Sequence, residues 1–297
     1  MISRREFLKA AGMGSLAGAV ACRSLGRFPF RRGAPPKLRT ITYNVYACYG
    51  WTPDEEKFKK RRAAAKDKKV MAEMAQRFAD ALRPFQPDIL TFAESPAEWV
   101  VKEIADRLAL RHAFFPSGGS WPGALITRLE ILESANCPIV GGQRPKDLFT
   151  RHWGRAVLQT PLGETILHSV HLHPSDNAVR EREVTEVLKT LQNDFQSKRR
   201  LIIQGDFNHT PDRPEYGRWR AAGLIDTFKI AGVGSEITMP QPTKEAPKRI
   251  DFIWANALLG GRLREVRVLR DRPFSLSPKD PGSVALSDHL PVMATFD

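Results

Sequence analysis

The chain has 297 residues, 42% of them hydrophobic and 27% charged. That balance excludes extensive disorder and leaves room for one large domain with a substantial core, or two small ones. Lysine and arginine outnumber aspartate and glutamate by 46 to 33, for a formal charge of +13. Such a surplus favours polyanionic partners such as nucleic acid, acidic lipid head groups or phosphorylated small molecules, without choosing among them.

The first segment, residues 1–21, reads as a twin-arginine (Tat) export signal. Ser3-Arg4-Arg5-Glu6-Phe7-Leu8-Lys9 precedes a mildly apolar stretch, Ala10 to Val20, too short and too glycine-rich to span a bilayer as a stable helix. Ala19-Val20-Ala21 fits small-residue cleavage before Cys22, and the same cysteine is a second-choice site for lipidation. The expected partner in export is the Tat translocase, and the expected location is periplasmic or extracellular, with a lipid anchor at Cys22 as the variant. Cleavage would remove Arg4, Arg5, Lys9 and Glu6 and leave a charge of +11.

Residues 22–37, with five prolines and glycines and a pair of arginines, read as a tether. Residues 38–297 then read as a single domain. Leu38 to Val45 alternates as a strand, and residues 54–83 are predicted as one helix closed before Pro84. Asp88 to Glu94 is a short buried strand, followed by a helix over 97–110. Strands are predicted near 123–128, 131–135, 154–160 and 164–172, a helix over 179–196, and strands over 201–204, 250–254 and 290–296. Strands of alternating and buried type mixed with a few helices suggest two sheets covered by helices.

Polar clusters ride on the ends of these apolar runs. Asn44, Glu94, Asp206, Asn208, Asp251 and Asp288 are oxygen donors spread along the sequence, a set that suits a hard divalent ion, Mg²⁺ or Mn²⁺, better than zinc. Such an ion keeps several waters and binds a substrate phosphate. His171 and His289 offer hydrogen bonds to phosphate oxygens, and Asp251 is a candidate orienter of His289.

The order of these clusters resembles the endonuclease/exonuclease/phosphatase superfamily, which includes pancreatic-type deoxyribonuclease, abasic-site endonucleases, sphingomyelinases and inositol polyphosphate phosphatases. The matching segments are Thr42-Tyr43-Asn44-Val45, Pro87 to Glu94, Gly123 to Arg128, Ser169-Val170-His171-Leu172, Gly205-Asp206-Phe207-Asn208, Arg249-Ile250-Asp251 and Ser287-Asp288-His289. The resemblance implies a four-layer α/β sandwich, two mixed β-sheets packed face to face and flanked by helices. It implies Glu94 as the main metal ligand with Asn44 and Asp288 nearby, and Asp206 as the group that activates water. Asn208 would hold the phosphate or that water, His171 and His289 would stabilise transition-state charge, and Asp251 would orient His289.

The implied reaction is hydrolysis of a phosphate ester, with a nuclease favoured by the charge. A lipid phosphodiesterase, a sugar- or inositol-phosphate phosphatase, or a non-catalytic polyanion-binding protein of the same fold are the alternatives. No obligate protein partner is evident. Calcineurin-like phosphatases need Asp-x-His and Gly-Asn-His-Glu clusters that this chain lacks.

Some members carry a second acid where this chain has Tyr46. Arg180 stands at the place of a family arginine and reads either as a site residue or as a helix-surface partner of Glu183. His168, His173 and His209 flank the clusters and read either as cleft-lining or as structural. His112 and His152 read as ordinary histidines. Cys48 and Cys137 read either as a disulfide or as two thiols. The basic run from Lys57 to Lys69, with Tyr49, Trp51 and Phe58 beside it, reads either as a polyanion-holding rim or as a solvated helix face.

Overall fold

The computed structural model describes residues 37–137, 147–240, 246–280 and 282–297. The chain divides into a unit of residues 1–34 and a unit of residues 35–297. The export signal, and all of the tether but Lys37, lie outside the described residues.

In chain order the elements are β1 (Leu38–Asn44), α1 (Glu55–Ala64), α2 (Lys68–Leu82), β2 (Ile89–Ala93), α3 (Glu98–Leu108), β3 (Arg111–Phe115), β4 (Gly123–Thr127) and β5 (Glu130–Asn136). They continue with β6 (His152–Thr160), β7 (Gly163–His171), α4 (Asn177–Gln196), β8 (Arg200–Asp206), α5 (Pro214–Ala221), β9 (Ile225–Asp226) and α6 (Thr227–Ala231). The last are β10 (Gly232–Val233), β11 (Asp251–Ala255), α7 (Ala257–Gly260), β12 (Leu263–Val268) and β13 (Val292–Phe296). One mixed sheet runs β10-β12-β13-β1-β2-β4-β3 and the other β5-β6-β7-β8-β11-β9. The two sheets pack face to face with helices outside, the four-layer sandwich that the family resemblance implies.

The period-2 alternation of β8 shows how the layers are built. Leu201 and Ile203 point outward into a core with Val184, Val187 and Leu191 of α4. Ile202 points inward to the core shared with the first sheet. Gln204, next on that inner face, is a buried polar bolt: it accepts from Thr40 Oγ1 at 2.6 Å and donates to Thr91 Oγ1 at 2.9 Å and to the Ile41 carbonyl at 3.1 Å. A buried amide satisfied on this scale fixes how the sheets sit, because any slip strands polar groups at a cost of about 1–3 kcal/mol each. Asp206 is the next inward position, and Asn44 is the matching one on β1.

Gly205 lets β8 end this way. Its φ is +149°, and a Cβ there would lie 1.8 Å from the Val170 carbonyl oxygen of the adjacent parallel strand. Backbone at that distance cannot yield as a flexible side chain would.

Two sequence expectations change, and one open alternative closes. The predicted helix over 54–83 is two helices, because its lysine- and arginine-rich first half has no apolar face to bury, while α2 buries Met71, Met74, Ala75, Phe78, Ala79 and Leu82. Asp67 starts the second one by accepting from the Lys69 amide at 2.7 Å. Strands β3 and β12 and helix α5 lack the strong periodic signal that the other elements carry and were not predicted. No disulfide joins Cys48 and Cys137.

Candidate active site

Parallel pairing brings the polar ends together. In register, Asn44 of β1 lies opposite Ala93 of β2, one residue before Glu94, and His171 of β7 lies opposite Asp206 of β8. Asp251 opens β11 directly across from Asp206 in the antiparallel direction, and Ser287-Asp288-His289 leads into β13 beside β1. Every predicted site residue therefore arrives at the same end of the two sheets.

Asp206 is the centre. Its Oδ2 accepts from Asn44 Nδ2 at 2.9 Å and its Oδ1 from the Asn208 amide at 3.0 Å. Asn208 adopts the left-handed conformation at φ +51°, which asparagine tolerates better than most residues, and donates its side-chain amide to the Leu172 carbonyl at 2.9 Å. Burial, then the Asp251 charge, push the Asp206 carboxyl up to about 6, against His289 and the two hydrogen bonds, which pull it down. A carboxylate of that basicity, held on both oxygens, is a competent acceptor for a proton from water.

Two imidazoles converge on the same oxygen. His171 Nε2 lies 3.6 Å and His289 Nε2 3.9 Å from Asp206 Oδ2. His289 Nδ1 is 2.8 Å from Asp251 Oδ2, and its backbone amide is held by Ser287 Oγ at 3.2 Å. Burial opposes charge on His289, but Asp251, Asp206 and Asp288 outweigh it and raise the pKa well above the usual value. His171 goes the other way: burial, then the neighbouring His152, Arg151 and His289, hold it neutral. The two histidines differ in kind, one an imidazolium fixed by a carboxylate and the other a neutral ring.

Glu94 sits at φ +48°, a conformation that costs a non-glycine residue about 1–3 kcal/mol. Its Oε2 is buried without a hydrogen-bond partner. Burial, then Asp288 and, less strongly, Asp206, push this carboxyl up to about 7. A strained carboxylate with one oxygen unpartnered and two other acids beside it calls for added positive charge, and an oxygen-rich donor set of this kind fits a hard divalent cation. Asn44 is tied on both sides of its amide, since its Oδ1 also accepts from the Tyr46 amide at 3.2 Å. A second grouping, Asp206, Asp251 and His289, places ligand atoms within 4.8 Å of one another. There the Asp251–His289 hydrogen bond takes Nδ1 and leaves Nε2, 3.9 Å from Asp206 Oδ2, as the open nitrogen of the ring.

Tyr46 stands where some relatives carry a second acid. Its ring stacks between Phe58 of α1, at 5.4 Å and 1°, and Trp121, at 6.1 Å and 14°. Burial, then Asp288 and Glu94, raise the pKa of its hydroxyl, so an aromatic wall abuts the acids. Asp288 itself is half-buried and accepts from Ser287 Oγ at 3.1 Å.

The flanking residues resolve individually. His209 is structural: Trp219 Nε1 donates to its Nε2 at 3.0 Å and its Nδ1 meets the Thr210 carbonyl at 3.2 Å, with burial pushing it down to about 4. His168 lies in the second core, 2.8 Å from Asp194 and accepting from Trp153 Nε1 at 3.0 Å. Arg180 is not a surface partner of Glu183; it is buried and pairs with Glu215 at 3.0 Å. Glu183 caps backbone instead, because its position on α4 faces the end of β7. His152 is a buried core histidine, its Nε2 3.0 Å from Ser169 Oγ and its ring 6.3 Å from that of His171.

Sequence reading missed Thr238, whose Oγ1 accepts from the amides of Ile250 and Asp251 at 3.1 and 3.2 Å while its carbonyl accepts from Leu290 at 2.7 Å. It ties the Asp251 and His289 segments together, and a lone threonine in a loop carries no signal of this. The Arg249 of the Arg-Ile-Asp motif has a positioning role, paired with Asp226 at 2.5 Å and stacked 4.4 Å from the centre of the Phe252 ring.

Comparisons with known proteins bear on the family and the fold. The sequence matches the profile of the Endonuclease/Exonuclease/phosphatase family over residues 41–289. No curated protein matches it significantly. Among solved structures it is similar to an endonuclease/exonuclease/phosphatase family protein from Bacteroides thetaiotaomicron, at 16% identity and a TM-score of 0.65, covering 89% of this chain and 99% of that one. It is also similar to a mannosyl-6-phosphatase of the same organism, at 16% identity and 0.64, covering 86% and 98%. Truncated TDP2 from Caenorhabditis elegans follows at 14% identity and 0.59, covering 88% and 97%. At such identities the structural likeness carries the fold alone, whereas the profile match spans most of the sequence and every strand-end cluster: the chain belongs to the endonuclease/exonuclease/phosphatase family.

Proposed function

We propose that the protein is an exported, divalent-metal-dependent phosphodiesterase with nuclease-like activity. The observation that carries the chemistry is the convergence on Asp206 of Asn44, Asn208, His171 and the Asp251–His289 pair. Asp206, fixed by Asn44 and Asn208, takes the proton from an attacking water. The His289 imidazolium, fixed by Asp251, meets the negative charge that develops on the phosphoryl oxygens, and neutral His171 donates a hydrogen bond to them. A divalent ion held by Glu94, with Asp288 and Asn44, would add positive charge at a phosphate oxygen and lower the pKa of bound water.

Two opposing ionisations predict a bell-shaped pH profile. Asp206 must be ionised, and its pKa of about 6 places the acid limb at or below that pH, lower when a cation binds next door. His289 must stay protonated, and its raised pKa extends activity into the alkaline range before the second limb. Measuring kcat/KM on bis-(p-nitrophenyl) phosphate from pH 4 to 10 checks both, and a profile with no acid limb down to pH 4 would contradict the role of Asp206.

For substrate class, α1 favours nucleic acid. It buries no residue, and a shallow hollow of about 440 Å³ is lined by its Lys59 and Arg62, by Lys66 just beyond its end and by Tyr49. Arg62 stands 5.8 Å from the centre of that ring. Cations interleaved with an aromatic suit a strand with phosphates and bases. Replacing Lys59, Arg62 and Lys66 with glutamine is expected to lower cleavage of plasmid DNA about tenfold at 0.15 M salt and flatten its salt dependence, with little change on bis-(p-nitrophenyl) phosphate. Parallel assays on DNA, RNA, sphingomyelin, inositol phosphates and mannose 6-phosphate decide the class. The last belongs in the panel because a structural neighbour is a mannosyl-6-phosphatase. Export rests on the N-terminal sequence, and loss of periplasmic protein in an R4K/R5K variant would support it.

A further inference from the structure

The geometry points to Trp121, at the end of the stack with Tyr46 and Phe58, as a platform for a nucleobase next to the scissile phosphodiester, and so as a specificity-determining residue. It rests on the nuclease reading of the same site. The three rings come from a turn, a helix and a loop, and each is half-buried. Neither Phe58 nor Trp121 belongs to either hydrophobic core, so core packing does not account for them. The near-parallel angles of 1° and 14° make one continuous stack.

Backbone bonds on both flanks tie this stack to Glu94. On one side the Pro122 carbonyl, next to Trp121, accepts from the Ser95 amide, next to Glu94, at 2.8 Å. The Ser117 hydroxyl fixes the same loop by accepting from the amides of Gly119 and Trp121 at 2.9 and 3.1 Å. On the other side the Glu94 carbonyl accepts from the Ala47 amide at 2.7 Å, and Asn44 holds the Tyr46 amide. Tyr46, Ala47 and Cys48 are all left-handed, at φ +46°, +49° and +58°. Consecutive non-glycine residues in that region are strained, and such strain persists where the surrounding fold enforces it, often at ligand clamps. What it delivers here is the Tyr46 ring, placed between Phe58 and Trp121.

Two observations choose the occupant. The stack runs into the basic hollow, because Tyr49 meets Tyr46 edge-on at 6.1 Å and 67° and carries Arg62 at 5.8 Å on its own ring. Rings with cations on one side and the reacting centre on the other suit a chain in which planar bases alternate with phosphates. A lipid tail fits less well, since the exposed large aliphatic side chains among the described residues, Leu132, Ile230, Val233 and Leu258, lie on none of these segments. Stacking uses the face of a base and not its hydrogen-bonding edge, so the platform demands a base without choosing which one.

The test follows, by anisotropy in EDTA, the binding of fluorescein-labelled hexathymidylate and of an equally charged hexamer of abasic tetrahydrofuran units. The wild type is expected to bind hexathymidylate about tenfold more tightly than the base-free chain. Trp121→Ala should weaken hexathymidylate about tenfold, the worth of one base–aromatic stack. It should leave the base-free chain within about twofold, which also shows that the variant folds. Trp121→Phe should recover most of the loss, because it keeps a π-face. Equal weakening of both hexamers, no weakening of either, or a wild type without preference for bases would overturn the platform. So would loss of binding to sphingomyelin vesicles in Trp121→Ala with hexathymidylate unaffected, which would give the rings to a lipid. A wild type that shows the base preference yet cleaves no oligonucleotide with Mg²⁺ would overturn the nuclease reading while the stacking itself stands.

Discussion

Asp206→Ala is expected to lower kcat on bis-(p-nitrophenyl) phosphate by about 10³–10⁴-fold, and His289→Ala by about 10²–10³-fold, with small effects on KM. The ranking follows from geometry. Both histidines and Asn44 approach the Asp206 carboxylate, so its removal takes away the base and the anchor of the cluster. His289 contributes charge, and neutral His171 remains beside the reacting group to donate one hydrogen bond. Asp251→Asn keeps the shape of the Asp251–His289 contact at 2.8 Å but removes the charge that keeps the imidazole protonated. Its loss should therefore grow with pH, through a basic limb moved to lower values. The double variant Asp251→Asn/His289→Ala should be no worse than His289→Ala alone, because the two act as a unit. Additive losses in that cycle, or wild-type rates in Asp206→Ala, would show that the assignments are wrong.

The strand-end clusters were legible because each part of the signal is local. A β-branched run, a glycine and a polar pair specify a strand and the side chains at its end, and the period of two fixes their face. Asp206 follows Ile202 and Gln204 on the inner face of β8, so its meeting with Asn44 follows once the two sheets pack. What pairing brings together across long separations was not legible. Asn44 and Asp206 are 162 positions apart, and Asp251 and His289 are 38 apart. Their proximity came from the family resemblance, and the bond lengths from the fold.

Residues that act through position were the least visible. Glu183 looked like a helix-surface partner because an i, i+3 spacing is shared by many helices, whereas its real partners are two backbone amides contributed by other segments. Tyr46 was noticed as a departure from an acid, but its stack with Phe58 and Trp121 depends on a helix and a loop whose arrangement no spacing encodes. Thr238 had no signal, since a threonine in a loop is ordinary until its neighbours are known.

Divalent metal should stabilise the protein far more at pH 8 than at pH 5. Glu94 is raised from 4.5 to about 7 by burial and by the neighbouring Asp288 and Asp206. A carboxyl with a raised folded-state pKa favours folding while protonated, below about 4.5, and that contribution is lost as pH climbs through about 7. The shift amounts to roughly 3 kcal/mol. Metal-free protein should therefore lose stability between pH 5 and pH 8, where the ionised acids repel one another without a counter-ion. Mn²⁺ at about 100 times its dissociation constant then adds roughly 2.7 kcal/mol, or about 5 °C in Tm for a domain of this size. At pH 5 protons compete for the same oxygens, and the shift should nearly vanish. Glu94→Gln should remove the Mn²⁺ response at both pH values and, by deleting one buried charge, make the metal-free protein more stable than wild type at pH 8. Thermal melts of the two proteins with and without Mn²⁺ measure all of this without reference to activity. An Mn²⁺ shift that survives in Glu94→Gln would move the cation to the grouping of Asp206, Asp251 and His289 and separate the metal from the strained acid at the end of β2.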